Sequence, residues 1–132
     1  MRRLLLLALS VLWCVSAYAE EPYKVYCSLV GEHTGASDNL SSLSVDYGQE
    51  NQRKNYLVDA EGNRLKFSTM TAAMNYMARR GWRLEHTYTN FKVNNINKEL
   101  SRRVVVWVLT KEVVSDDEIT EGFCTRLMFE SR

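Results

Sequence analysis

Apolar and polar residues alternate along residues 23–30. Tyr23, Val25, Cys27 and Leu29 face one way, and Lys24, Tyr26 and Ser28 the other. That period predicts a half-buried strand with Cys27 on its apolar face. Gly31 to Asn39 is polar and rich in Gly, Ser, Thr and Asn, and reads as a loop. Leu43, Val45 and Tyr47 then alternate with Ser42, Ser44 and Asp46, a second strand. Gly48 to Lys54 is another polar connection. Asn55–Ala60 and Arg64–Phe67 flank Glu61-Gly62-Asn63, where Gly62 supplies the positive φ of a tight hairpin.

The period next changes from two to that of a helix. Met70, Ala73, Met74 and Met77 fall on one helical face behind Ser68, a good N-cap. Arg79 and Arg80 lie in the last turn, where cations complement the helix dipole. Gly81 sits at the left-handed C′ position, with Trp82 placed to pack on Met77. A strand follows to about Phe91, with Trp82, Leu84, His86 and Tyr88 predicted on one face. Lys92 to Ser101 forms a long polar hairpin loop. Arg103 to Val113 is apolar at every position from Val104 to Leu109, which predicts a central strand covered on both sides. Ser115 and Glu118 match a capping box, and Ile119, Phe123 and Leu127 continue at i, i+4, i+8, a short C-terminal helix. Gly122 inside it costs about 1 kcal/mol relative to Ala. The expected fold is α+β, an antiparallel sheet of four to five strands with one main helix on a face.

The N-terminus changes the picture of where the chain works. Arg2 and Arg3, the apolar run Leu4 to Val15 and small residues at Ala17 and Ala19 form the three parts of a secretory signal, cleaved after Ala19. A permanent anchor needs about 20 apolar residues, so no membrane span is expected after processing. Residues 20–132 are then one α+β domain in the periplasm or outside the cell. Losing Arg2 and Arg3 leaves 15 Lys/Arg against 16 Asp/Glu, a net charge of −1. Nucleic-acid binders carry a basic excess, so that class is excluded. Cys14 leaves with the signal. Cys27 and Cys124 remain, and in an oxidising compartment they form a candidate disulfide, worth up to about 4.7 kcal/mol.

Several segments resemble known proteins: Tyr56-Leu57-Val58-Asp59, Gly62, Phe67-Ser68, Ala73-Met74-Asn75-Tyr76-Met77, Gly81-Trp82 and Val106-Trp107-Val108-Leu109-Thr110-Lys111. They resemble a group of small exported proteins of unknown function common in Bacteroidetes. The helix-Gly-Trp-strand step is similar to a broader family of short domains of unknown function. The resemblance spans most of residues 23–113 and implies a bacterial periplasmic or secreted setting and an antiparallel sheet packed by one main helix. It implies no activity. Arg83 stands where that pattern usually has Glu, so no role of that acid transfers.

Candidate chemistry is sparse. His86 is the one general-base candidate, with Glu85 beside it in sequence but pointing away. His33 lies in the loop segment Glu32-His33-Thr34-Gly35. No clustered ligand spacing suggests a metal, and the scattered glycines form no phosphate loop, so no metal, cofactor or catalytic residue is assigned. Arg79, Arg80 and Arg83 flank Gly81-Trp82 as a candidate anion-binding group. These readings favour a non-catalytic binding or protein-interaction module of the cell envelope, with an unknown protein or small ligand as partner. The alternatives are a small envelope hydrolase or transferase using His86, and a subunit of a surface assembly.

Overall fold

The computed structural model describes residues 20–35 and 37–132; the expected signal at residues 1–19 lies outside them. Six strands and two helices occur in the order β1 (Tyr23–Thr34), β2 (Ser42–Asp46), β3 (Leu57–Val58), α1 (Met70–Ala78), β4 (Arg83–Val93), β5 (Leu100–Val113), β6 (Cys124–Thr125) and α2 (Arg126–Glu130). A single 3-10 turn covers Asp116–Glu118. The main sheet is antiparallel in the order β2-β1-β5-β4, and β3 pairs with β6 in a second, small sheet. The fold is α+β, as the hydrophobic pattern requires.

The core lies between the main sheet and α1. Cys27 and Leu29 of β1, Leu43 and Val45 of β2, and Leu109 of β5 meet Met70, Ala73 and Met77 of the helix, with Leu57, Trp82 and Phe123 closing the sides. The helix starts one residue later than its sequence signals suggest. Thr69, not Ser68, is the N-cap, and its Oγ1 accepts from Ala72 N at 3.1 Å. At its other end the Gly81-Trp82 step is as predicted, but Arg79 is the C-cap and Arg80 lies beyond it, so neither is in the last turn. Gly81 takes φ +90° and the Trp82 N–H donates back to Met77 O at 3.2 Å, turning the indole into the core.

Three elements differ from their sequence patterns. β1 runs on through Gly31, Glu32, His33 and Thr34, which pair with Val105, Val104, Arg103 and Arg102. Their polar character reads as loop, but each has a partner. Gly31 leaves room for the Met70 sulfur, and His33 is buried with Nδ1 3.1 Å from Asn39 O. Glu32 meets Lys54 at 2.7 Å and Arg102 at 3.5 Å. Partial burial pushes this carboxyl up, but the two cations outweigh that and hold it below the usual range.

The second difference is at the C-terminus. Ser115 and Glu118 do form the capping box, but it closes only one 3-10 turn. Gly122 takes φ +86°, which ends any helical continuation before Phe123 enters the core. The predicted helix through Ile119, Phe123 and Leu127 is therefore split, and β6 and α2 take its place.

The third concerns β5. It is central in the sheet, as its composition predicts, yet only one of its faces meets α1. No described element packs on the other face.

Candidate functional site

The uncovered face is built by strict alternation. Register places Tyr26 opposite Thr110, Ser28 opposite Val108 and Val30 opposite Val106, so these side chains share the side away from the helix. On β4, Tyr88 opposes Val106, Asn90 opposes Val104 and Lys92 opposes Arg102. The result is a stripe of Val30, Val104, Val106 and Val108 flanked by two tyrosines. Val106 and Thr110 are buried within this face, whereas Tyr26 is 51% and Tyr88 47% exposed.

This face runs into an open edge. β4 pairs with β5 on one side only, and all eleven of its residues are exposed. The opposite edge of the sheet is short, and chain 53–55 folds along it, with Val45 N donating to Asn55 O at 2.8 Å. β4 has no such cover among the described residues. Its helix-side residues reach beyond α1 as well: Phe91 is 62% exposed and Leu84 and Val93 nearly half. At the hairpin tip Ile96 is 94% exposed. Exposed apolar residues thus concentrate on one hairpin and its neighbouring face, the pattern of an interaction surface.

A β-bulge decides where His86 points. The ladder pairs Leu84 with Leu109 and then His86 with Val108, which leaves Glu85 without a partner. Leu84 therefore stays on the helix side while His86 and Tyr88 turn to the uncovered one. The predicted common face of Trp82, Leu84, His86 and Tyr88 is not formed. His86 is exposed, its ring centroid 6.3 Å from that of Tyr88. Among the described residues no hydrogen bond or ion pair joins it to an acid that could orient it.

The arginines are also separated. Arg79 is the C-cap of α1. Arg80 stacks 3.5 Å over the Tyr76 ring and donates to the carbonyls of Tyr76 and Gly122, so its guanidinium ties the helix end to the Gly122 turn. Arg83 opposes Thr110 on β4, across the sheet from the helix. The three do not form one site. Arg80 instead borders a cleft of about 470 Å³ with Tyr76, Phe123, Cys124 and Arg132.

Cys27 and Cys124 are both free thiols, not the expected disulfide. Phe123 occupies the core beside Cys27, and Cys124, the next residue, turns to the cleft, where Arg132 Nη2 lies 3.7 Å from its sulfur. Burial pushes the Cys27 thiol up to about 12, only partly offset by Lys111. Native alkylation should therefore modify Cys124 and spare Cys27, with both reacting after unfolding without reductant. Mass spectrometry reads the result; failure of both thiols to react in the unfolded, unreduced protein would restore the disulfide.

No group of three or more His, Cys, Asp or Glu side chains among the described residues is arranged to hold a metal ion. None of the described helices is long and apolar enough to cross a membrane. Sequence reasoning missed Leu84 and Phe91 as surface residues, because it counted them with the apolar strand positions; Tyr26 was placed on the polar face, and Val93 in the loop that β4 in fact extends into.

No protein-family model matches the chain, nor does any curated protein or solved structure.

Proposed function

We propose that the chain is a non-catalytic, exported binding module of the cell envelope, which holds a protein partner against β4 and the uncovered face of its sheet. The supporting observation is the concentration of exposed Tyr26, Tyr88, Phe91, Val93 and Ile96 on one hairpin and face, beside an unpaired strand edge. Surfaces with this composition mark interaction sites, and a rigid sheet presents them at little entropic cost. The exported setting rests on the N-terminal signal pattern.

The test is photo-crosslinking in the native envelope, with a photoreactive residue at Phe91 and, as a control, at exposed Glu61 on the β3 turn. A discrete protein adduct from position 91 and none from 61 is expected. Equal labelling from both positions, or none from 91, would remove the proposal.

A further inference from the structure

We propose that the partner presented to β4 is an extended, acidic peptide segment that adds to the sheet as a fifth strand. This rests on the binding surface just described and specifies its occupant. Strand addition uses the main-chain groups of an open edge for affinity and the flanking side chains for choice. β4 supplies both.

The flanking charges select the sign. Residues 83–103 carry five cations, Arg83, Lys92, Lys98, Arg102 and Arg103, against Glu85 and Glu99. Residues 20–132 have a net charge of −1, so this hairpin concentrates the positive charge of an otherwise acidic protein. Arg102 and Arg103 lean on Glu32 and Asp38. The remaining cations on the uncovered face of β4 are Arg83 and Lys92, with His86 between them; Glu85, left unpaired at the bulge, is the one acid of β4, and no ion pair joins it to either cation among the described residues. Lys92 also stands directly opposite Arg102. Like charges in direct cross-strand register are unfavourable; Glu32 at 3.5 Å answers Arg102, and an anion brought alongside would answer Lys92. An added strand places alternate side chains on this face. Acids near Arg83 and Lys92 are matched there, and an apolar residue fits beside Tyr88. Its other face meets Leu84, Phe91 and Val93.

The same charges oppose a second copy in that place. A two-fold antiparallel pair of β4 strands in the register that sets Arg83 opposite Lys92 would bring like charges together twice. The bulge at Glu85 and the exposed Lys92 are devices by which open edges resist self-pairing.

The probe is a short, end-blocked fluorescent peptide of alternating Glu and Val, titrated against the full protein. Binding is expected to weaken about tenfold when Lys replaces Glu, the size of two surface charge pairs gained or lost. It should vanish for the fully N-methylated peptide, which cannot donate to the edge. The Arg83→Glu, Lys92→Glu double variant should reverse the preference without lowering the thermal midpoint, since both side chains are exposed. Amide exchange should slow along β4 when the Glu peptide binds. Equal affinity for the Glu and Lys peptides, binding that survives N-methylation, or slowing confined to another strand would overturn the proposal. So would protection of β4 that rises with protein concentration alone, the mark of a second copy. Absence of peptide binding combined with a Phe91 crosslink would remove only the acidic strand and leave the binding surface in place.

Discussion

Replacing Trp82 by alanine should cost about 3–5 kcal/mol and lower the thermal midpoint by roughly 10–25 °C. The indole is 1% exposed and joins the end of α1 to Leu109 and Phe123 in the same cluster. Its position depends on Gly81, whose φ of +90° turns the chain straight from helix into strand. Trp82→Ala empties the largest buried volume of the core, at the point where helix, main sheet and C-terminal segment converge. Trp82→Phe should cost much less. The indole N–H has no partner among the described residues, so removing it leaves no broken bond. Urea titration of the two variants measures the contrast. Equal losses would show that the ring's volume is not what matters at this site.

Gly31→Val is the second large effect, expected at about 1–3 kcal/mol. A Cβ at this position would lie 2.4 Å from the Met70 sulfur and 2.7 Å from Leu40 Cδ2. The glycine is in extended backbone, so the conflict is one of space rather than conformation. Any branched side chain there lifts the first turn of α1 from β1. The loss should appear in the urea midpoint with the slope unchanged, because the unfolded chain exposes nearly the same surface. A stability equal to that of the parent would mean the helix does not sit where Met70 places it.

How much of this was legible varies with how many signals agree locally. The helix was legible because its apolar face and its Gly81-Trp82 terminus say the same thing; the differences are at its ends, where Thr69 rather than Ser68 is the N-cap and Arg79 caps the helix instead of lying in its last turn. The Gly62 turn was legible for a similar reason: one glycine with φ +84° and an Asp59 whose carboxylate accepts from Glu61 N and Asn63 N; the strands expected on either side shrink to Leu57–Val58, joined to Arg64 by a single bridge and paired with β6 instead. The end of β1 was not. Gly31, Glu32, His33 and Thr34 have loop composition, and their partners on β5, 68 to 74 residues away, with Leu43 and Ser42 of β2 beside the first two, hold them extended.

The candidate site shows the same division. The apolar run Val104–Leu109 was visible, but composition cannot distinguish a strand buried on both faces from one buried on a single face. The bulge at Glu85 leaves no trace in the alternation of Leu84, His86 and Tyr88, yet it sends His86 and Leu84 to opposite sides. The arginines around Gly81 were grouped by proximity in sequence. A helix end and a strand that passes to the other face of the sheet keep them apart. Phe91 looked like core because strand apolar residues usually are, and Val93 fell in a stretch that reads as polar loop. They are exposed because α1 spans only nine residues and does not reach the far half of the β4–β5 hairpin.

Amide hydrogen exchange along β4, residue by residue, tests the central claim most directly. An edge strand on a sheet has amides that alternate between partners on β5 and open solvent. The isolated protein should therefore show slow and fast exchange in alternation across His86–Lys92, with uniformly slow exchange along β5. Uniformly slow exchange through His86–Lys92 at low protein concentration would mean that the edge is already covered, and the proposed binding surface would be lost.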